Sequence, residues 1–197
     1  HQIHLIEDDV YEELFYGSKK PLPMKYYDQQ NLVLHCSSFS KTLGSGFRVG
    51  WVYAGKFSEH IQHLQLMSTI SANALIQNVL VEFLAHHHYE KHLRVLRRAL
   101  EKNKKQFFNY LKQHLPADCQ VYNYPSGYFL WIQLPERVSS MQVYEKLIQQ
   151  QIGVAPSPLF NVLPSHQHYI RMNCSFEWSE QIKYSLELFI QTIQHSM

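Results

Sequence analysis

Hydrophobic positions along this chain fall into two rhythms. Short apolar runs come first: Ile3, Leu5 and Ile6, then Leu32-Val33-Leu34, then Val49 to Ala54. Runs of this length, separated by longer connections, predict the strands of a mainly parallel α/β sheet. The first, over residues 3–8, reads as a buried strand ending in acids. Residues 11–30 read as irregular, with Gly17, Pro21 and Pro23 as breakers. From Phe57 to about Leu115 the rhythm becomes helical. Leu93, Leu96 and Leu100 recur at helical spacing, as do Phe107, Phe108, Leu111 and Leu115, until Pro116 stops the run.

The tail returns to short elements. Tyr128 to Leu134 reads as a strand ended by Pro135, and Val143, Leu147 and Ile148 mark a helix. In Tyr169 to Cys174, apolar and polar residues alternate as on a strand with one buried face. Ile182, Leu186, Phe189 and Ile193 form the stripe of a last helix. A strand, helix, strand, helix tail predicts a second, small α/β domain, with the boundary near residue 100.

Composition narrows the class. The 197 residues are 45% hydrophobic and 17% charged, which describes a core-forming globular chain of one ordinary or two small domains. The net charge of +2 gives no reason to expect a nucleic-acid surface on this segment. Cys36, Cys119 and Cys174 are odd in number, widely spaced and free of any CxxC pair. They argue against a disulfide framework or a zinc site and suit a reducing, cytoplasmic compartment. No apolar run approaches the roughly 20 residues needed to cross a bilayer. The opening His1-Gln2-Ile3-His4-Leu5 reads as the middle of a strand, so we expect a carboxy-terminal piece of a longer polypeptide.

The chemistry concentrates between the second and third apolar runs, in Ser38-Phe39-Ser40-Lys41-Thr42-Leu43-Gly44-Ser45-Gly46-Phe47-Arg48. Ligands of open α/β sheets bind beyond the carboxyl ends of the strands. There Lys41 offers an amine able to form a Schiff base with a carbonyl once it is neutral. Arg48 offers a rigid fork of donors suited to a phosphate dianion, and Ser38 a hydroxyl. Gly44 and Gly46 are expected to let backbone amides approach an anion. An amine beside a phosphate cradle is what pyridoxal 5'-phosphate (PLP) requires. Asp8 ends the first strand with Tyr11 three residues on. A carboxylate can keep a pyridine nitrogen protonated, and a phenol can sit by the ring oxygen. Arg171 lies on the tail strand between Ile170 and Met172. Those two should point into the core, leaving Arg171 free to grip a carboxylate.

Together these residues resemble fold-type I PLP enzymes, the aspartate-aminotransferase superfamily. The pattern is Asp8-x-x-Tyr11, Ser38-x-x-Lys41, Arg48, and a late Arg171. A narrower likeness is to the MocR branch of GntR transcription regulators. It is carried by Glu7 to Tyr11, Cys36 to Lys41, Tyr89 to Arg98, Phe129 to Pro135 and Ile170 to Cys174. The resemblance implies a partial PLP-transferase fold. Residues 1–100 would be the end of the PLP-binding large domain with linking helices, and 101–197 the small carboxy-terminal α/β domain. It further implies Asp8 on the pyridine nitrogen and Tyr11 near the ring hydroxyl. Lys41 would be the aldimine lysine, Ser38 and Arg48 phosphate ligands, and Arg171 the carboxylate grip. The function implied is sensing of an amino-acid, amine or PLP-linked effector through a lysine aldimine by a homodimer, with DNA bound only through a winged helix-turn-helix absent from this chain. A free-standing aminotransferase is the alternative. Gly44-Ser45-Gly46, Gly127-Tyr128 and Pro156-Ser157 depart from the family's usual loop residues.

Other chemistries fit less well. Ser38-x-x-Lys41 also matches an acylating serine motif, but the Ser-Asp-Asn and Lys-Thr-Gly partners do not occur. His88 and His92 stand four apart without a HExxH frame, so a solvated helix face is expected there and no metal. Arg94, Arg97, Arg98, Lys102 and Lys105 form a basic stripe broken by Glu101, again expected to be a solvated face.

Overall fold

The computed structural model describes residues 3–86, 88–160 and 167–197. The chain separates into two compact units, His1–Arg97 and Arg98–Met197.

The first unit contains a three-stranded sheet in the order β1-β2-β3. Its strands are β1 (Leu5–Asp8), β2 (Val33–Ser38) and β3 (Gly50–Tyr53). β1 and β2 run parallel, with Leu5 opposite Val33 and Asp8 opposite Cys36. β3 turns back antiparallel to β2, with Ser38 opposite Gly50. Apolar runs report strand content, not direction. The reversal follows from the short connection, since a parallel return needs a longer crossover.

The expectation of a buried first strand is corrected. β1 alternates between half-buried and exposed positions, and Ile6 is 74% exposed. The irregular stretch after β1 is tied down by acids. Glu7 accepts hydrogen bonds from the backbone N–H groups of Met24 and Lys25. The Asp28 carboxylate accepts from the N–H groups of Gln30, Leu32 and Val33 and from the Lys25 ammonium. Those donors, Lys25 first, hold the Asp28 carboxyl well below the usual carboxylate range.

The helical region divides into α1 (Ser58–Thr69), α2 (Ala74–Ala85) and α3 (His88–His114). α1 ends at Ile70, which takes φ +61°. Asn73 caps α2 by accepting the Ile76 N–H at 3.2 Å, satisfying one of the orphan donors of the first turn. α3 is 27 residues long, about 40 Å. Leu14 and Leu93 are fully buried anchors of this unit. α1 and α2 expose Leu64, Leu66, Met67, Leu75 and Val81.

The second unit is a four-stranded antiparallel sheet, in the order β4-β5-β7-β6, packed against helices. Its elements are β4 (Gln120–Tyr122), β5 (Phe129–Gln133), α4 (Ser140–Ile148), β6 (Ala155–Pro156), β7 (Tyr169–Asn173) and α5 (Glu180–Gln194). Ser139 and Ser179 cap α4 and α5 by accepting the N–H groups of Gln142 and Ile182. Leu130 and Ile132 of β5 and Ile170 and Met172 of β7 send one face into the core. Phe107 and Leu111 of α3, Val143 and Leu147 of α4, and Leu186, Phe189 and Ile193 of α5 complete it. Truncating one of these large residues to alanine is worth about 2–5 kcal/mol.

Candidate functional site

The parallel ladder fixes the first half of the site. Asp8 is the last residue of β1 and Ser38 the last of β2, so both leave their strands at the same edge of the sheet. The polypeptide then makes a compact turn. Phe39 N–H donates to Val49 O at 3.1 Å and closes the neck. Leu43 and Gly44 donate back to Phe39 O, at 2.8 and 3.3 Å. Lys41 is exposed on this turn. Its Nζ lies 5.9 Å from the centroid of the Tyr11 ring. Tyr11 itself opens the turn after β1, where Leu14 N–H donates to its carbonyl at 2.9 Å.

Hydroxyl and guanidinium donors meet on the same turn. Ser38 Oγ accepts from the Ser40 N–H at 3.3 Å, which leaves the Ser38 hydroxyl proton for another acceptor. Ser40 Oγ accepts from Arg48 Nη1 at 3.5 Å, the long limit of such a bond. Arg48 is exposed and sits in the left-handed region at φ +49°. A non-glycine residue there is uncommon and strained. The donor set of Ser38, Ser40, Lys41 and Arg48 is what a phosphate dianion would need.

The glycine that the turn requires is not one the sequence pointed to. A Cβ on Gly46 would meet nothing within 4 Å, and one on Gly44 would meet only the Phe47 ring. At Gly50 a Cβ would fall 2.8 Å from Ser37 O and 3.1 Å from Ser38 Cβ. Gly50 therefore lets β3 close against the strand end that carries Ser38. The signal was available as a glycine at a strand start, four residues after Gly46.

His92 also departs from expectation. It is half-buried, and its Nε2 lies 2.6 Å from Thr42 O. Arg97 leaves the solvated stripe as well. Its Nη1 donates to Glu13 O at 3.1 Å, and its guanidinium sits 4.7 Å from the Phe15 ring centroid.

A second cluster joins the segment after β1 to the middle of β2. Ligand-type atoms of Asp9, Glu12 and His35 fall within 4.8 Å of one another. His35 is buried, with Nε2 3.2 Å from Asp9 Oδ2 and its ring edge-on to Trp51. Burial, then the neighbouring Asp9 carboxyl, raises the Glu12 carboxyl above its ordinary value. The Lys20 ammonium bonds Glu12 Oε1 at 3.0 Å and Glu13 as well, so a cation already serves these acids.

In the second unit Arg171 occupies the face opposite Ile170 and Met172, which are buried as alternation predicts. Its guanidinium lies between two rings, 4.5 Å from the Phe129 centroid and 4.2 Å from that of Phe160. Cation–π contacts with two rings restrict where the fork can sit. Arg171 Nε is buried and has no hydrogen-bond partner among the described residues. Buried polar groups are normally paired, so an acceptor is owed here.

The family profile described as aminotransferase class I and II matches residues 1–187. The chain belongs to that family. It is 41% identical over 197 residues to the "Uncharacterized HTH-type transcriptional regulator YdcR" of Escherichia coli K12, covering 100% of this chain and 42% of that protein. It is 33% identical over 189 residues to the "HTH-type transcriptional regulator NorG" of Staphylococcus aureus, covering 94% of this chain and 42% of that one. Among solved structures it superposes on a multiple substrate aminotransferase from Thermococcus profundus. There the TM-score is 0.90 at 21% identity, over 98% of this chain and 48% of that one. It superposes equally on a Pyrococcus horikoshii kynurenine aminotransferase in complex with PMP, at TM-score 0.90 and 22% identity over 98% and 48%. These likenesses show the fold, which is that of the aminotransferases. The chain thus spans about half the length of the proteins it matches. No described helix is long and apolar enough to cross a membrane.

Proposed function

We propose that this chain is the PLP-binding, aminotransferase-like part of a helix-turn-helix transcription regulator, and that Lys41 is its cofactor lysine. The observation that carries the reading is the meeting of three elements at one sheet edge. Asp8 and Ser38 end neighbouring parallel strands, and Lys41 reaches the Tyr11 ring from the following turn.

The residues present fit the cofactor. Ser38, Ser40 and Arg48 match a dianionic phosphate, and the Asp8 carboxylate suits a pyridinium nitrogen. Bound there, PLP would supply an aldehyde to a lysine amine and a ring that withdraws electrons. Lys41 presents the amine and can carry a proton. Tyr11 lies beside that amine and can orient it. Arg48 and the serines hold and neutralise the phosphate. In the second unit Arg171, stiffened by Phe129 and Phe160, would take a carboxylate of an amino-acid effector and satisfy its orphaned Nε. The 1–97 unit would then be the end of a large cofactor domain and the 98–197 unit the small domain.

The regulator reading rests on identity, over 100% and 94% of the chain, to two proteins described as HTH-type transcriptional regulators, one of them at 41%. On this reading the full protein is a cytoplasmic homodimer that binds DNA through a domain outside this chain. A free-standing aminotransferase is the second reading, favoured by the fold of the solved neighbours. The test is a DNA mobility-shift assay on the full-length protein with PLP and a panel of amino acids, run beside a multiple-turnover transamination assay. DNA binding altered by PLP or an amino acid, with transamination slow or absent, is expected. Robust turnover by a protein that binds no DNA would contradict it.

A further inference from the structure

The stretch from Tyr89 to Arg98 has a role that the cofactor reading leaves unexplained. Tyr89, Leu93 and Arg97 follow at four-residue spacing on one face of α3, with His92 beside them. Leu93 is fully buried and anchors that face. Tyr89 donates its phenol proton to Thr42 Oγ1 at 3.0 Å. His92 Nε2 lies 2.6 Å from Thr42 O. A carbonyl only accepts, so Nε2 carries the proton and His92 is the donor. Thr42 is 4% exposed, so both bonds are shielded from water. The Phe39 and Phe83 rings flank Tyr89 edge-on at 6.0 and 6.5 Å. Burial raises the Tyr89 phenol above its ordinary value, which keeps it a donor.

We propose that Tyr89 and His92 are positioning residues for Lys41: they hold Thr42 by its hydroxyl and its carbonyl, and so fix the backbone from which the lysine projects. One helix face thereby secures the residue next to the amine at two points. Thr42 Oγ1 also lies 3.5 Å from Phe39 O, at the neck of the same turn. Lys41 needs such support because its own side chain is exposed and flexible. Arg97 acts alike on the Glu13–Phe15 segment that follows Tyr11. This inference rests on Lys41 being the cofactor lysine.

The experiment uses full-length protein, wild type and the variants Tyr89→Phe, Thr42→Val, their double and His92→Phe. Two quantities are read: hydrogen–deuterium exchange of the Phe39–Gly46 amides without PLP, and the rate at which added PLP becomes attached to Lys41. Tyr89→Phe removes the donor of the Tyr89–Thr42 bond, and Thr42→Val removes its acceptor together with the longer Thr42 Oγ1–Phe39 O contact. Each should speed exchange in the turn and slow attachment by roughly two- to tenfold. The double variant should do no more than Thr42→Val alone, because the Tyr89 hydroxyl acts on the turn only through Thr42 Oγ1. His92→Phe leaves a buried carbonyl without its donor and should act more strongly, by about tenfold or more. Unchanged exchange in the milder variants overturns the proposal, and so does faster exchange with unchanged attachment. Failure of the wild type to attach PLP at Lys41 would instead sink the cofactor reading and this inference with it, which separates the two failures.

Discussion

Asp8 and Cys36 face each other on the last rung of the parallel β1–β2 ladder, so Asp8 leaves the sheet beside the strand that ends two residues later at Ser38. A slip of one residue would send the carboxylate to the opposite face. The register therefore decides whether an acid and an amine-bearing turn share an edge.

If Asp8 meets the pyridine nitrogen, Asp8→Ala removes a charge-assisted hydrogen bond worth about 1.5–3 kcal/mol. PLP affinity of the full-length protein should fall on the order of tenfold to a hundredfold. Absorbance titration checks this. An unchanged dissociation constant would remove Asp8 from the site.

Arg171 is held by two ring faces as well as by its charge. Arg171→Lys keeps the charge but loses the planar fork and the stacking. Binding of an amino-acid effector should weaken roughly tenfold or more, while the amine lacking a carboxylate should bind wild type and variant alike. Calorimetry with such a pair reads the difference directly. Equal losses for both ligands would mean that Arg171 does not grip a carboxylate.

Lys104 is 2% exposed and donates from Nζ to the carbonyls of Tyr124 and Ser126, at 2.8 and 2.9 Å. It pins the turn that leads to Phe129. Lys104→Met should destabilise the chain by about 1–3 kcal/mol, because two carbonyls lose a charged donor. Burial also lowers the Lys104 ammonium below its ordinary 10.5. The folded chain then releases this proton at a lower pH than the unfolded chain. Between the folded value and 10.5 the unfolded state binds more protons, so this group makes stability rise with pH. Denaturant unfolding measured up to about pH 10.5 should show a rise in wild type that Lys104→Met lacks. A parallel pH dependence in the two proteins would contradict it.

Much of this arrangement was legible in the residues. The Lys41 turn, the Asp8-x-x-Tyr11 pair and the outward face of Arg171 follow from local pattern, because strand alternation and turn chemistry act over a few residues. What escaped was set by contacts distant in sequence. Thr42 lies 47 residues from Tyr89 and 50 from His92, and no periodicity announces such a bond. The burial of Lys104 against carbonyls 20 and 22 residues on is equally silent in an exposed-looking run of charges. β4 and β6, with three and two residues, are too short to show a rhythm. Gly50 resembles any glycine until Ser37 and Ser38 are seen against it.

The central claim is that Lys41 is the amine that takes PLP. Full-length protein would be incubated with PLP, reduced with borohydride, digested and mapped by mass spectrometry. The account predicts one adduct, on Lys41, and its complete loss in Lys41→Ala with folding preserved, since the side chain is exposed. An adduct on another lysine, or one that persists in Lys41→Ala, would contradict it.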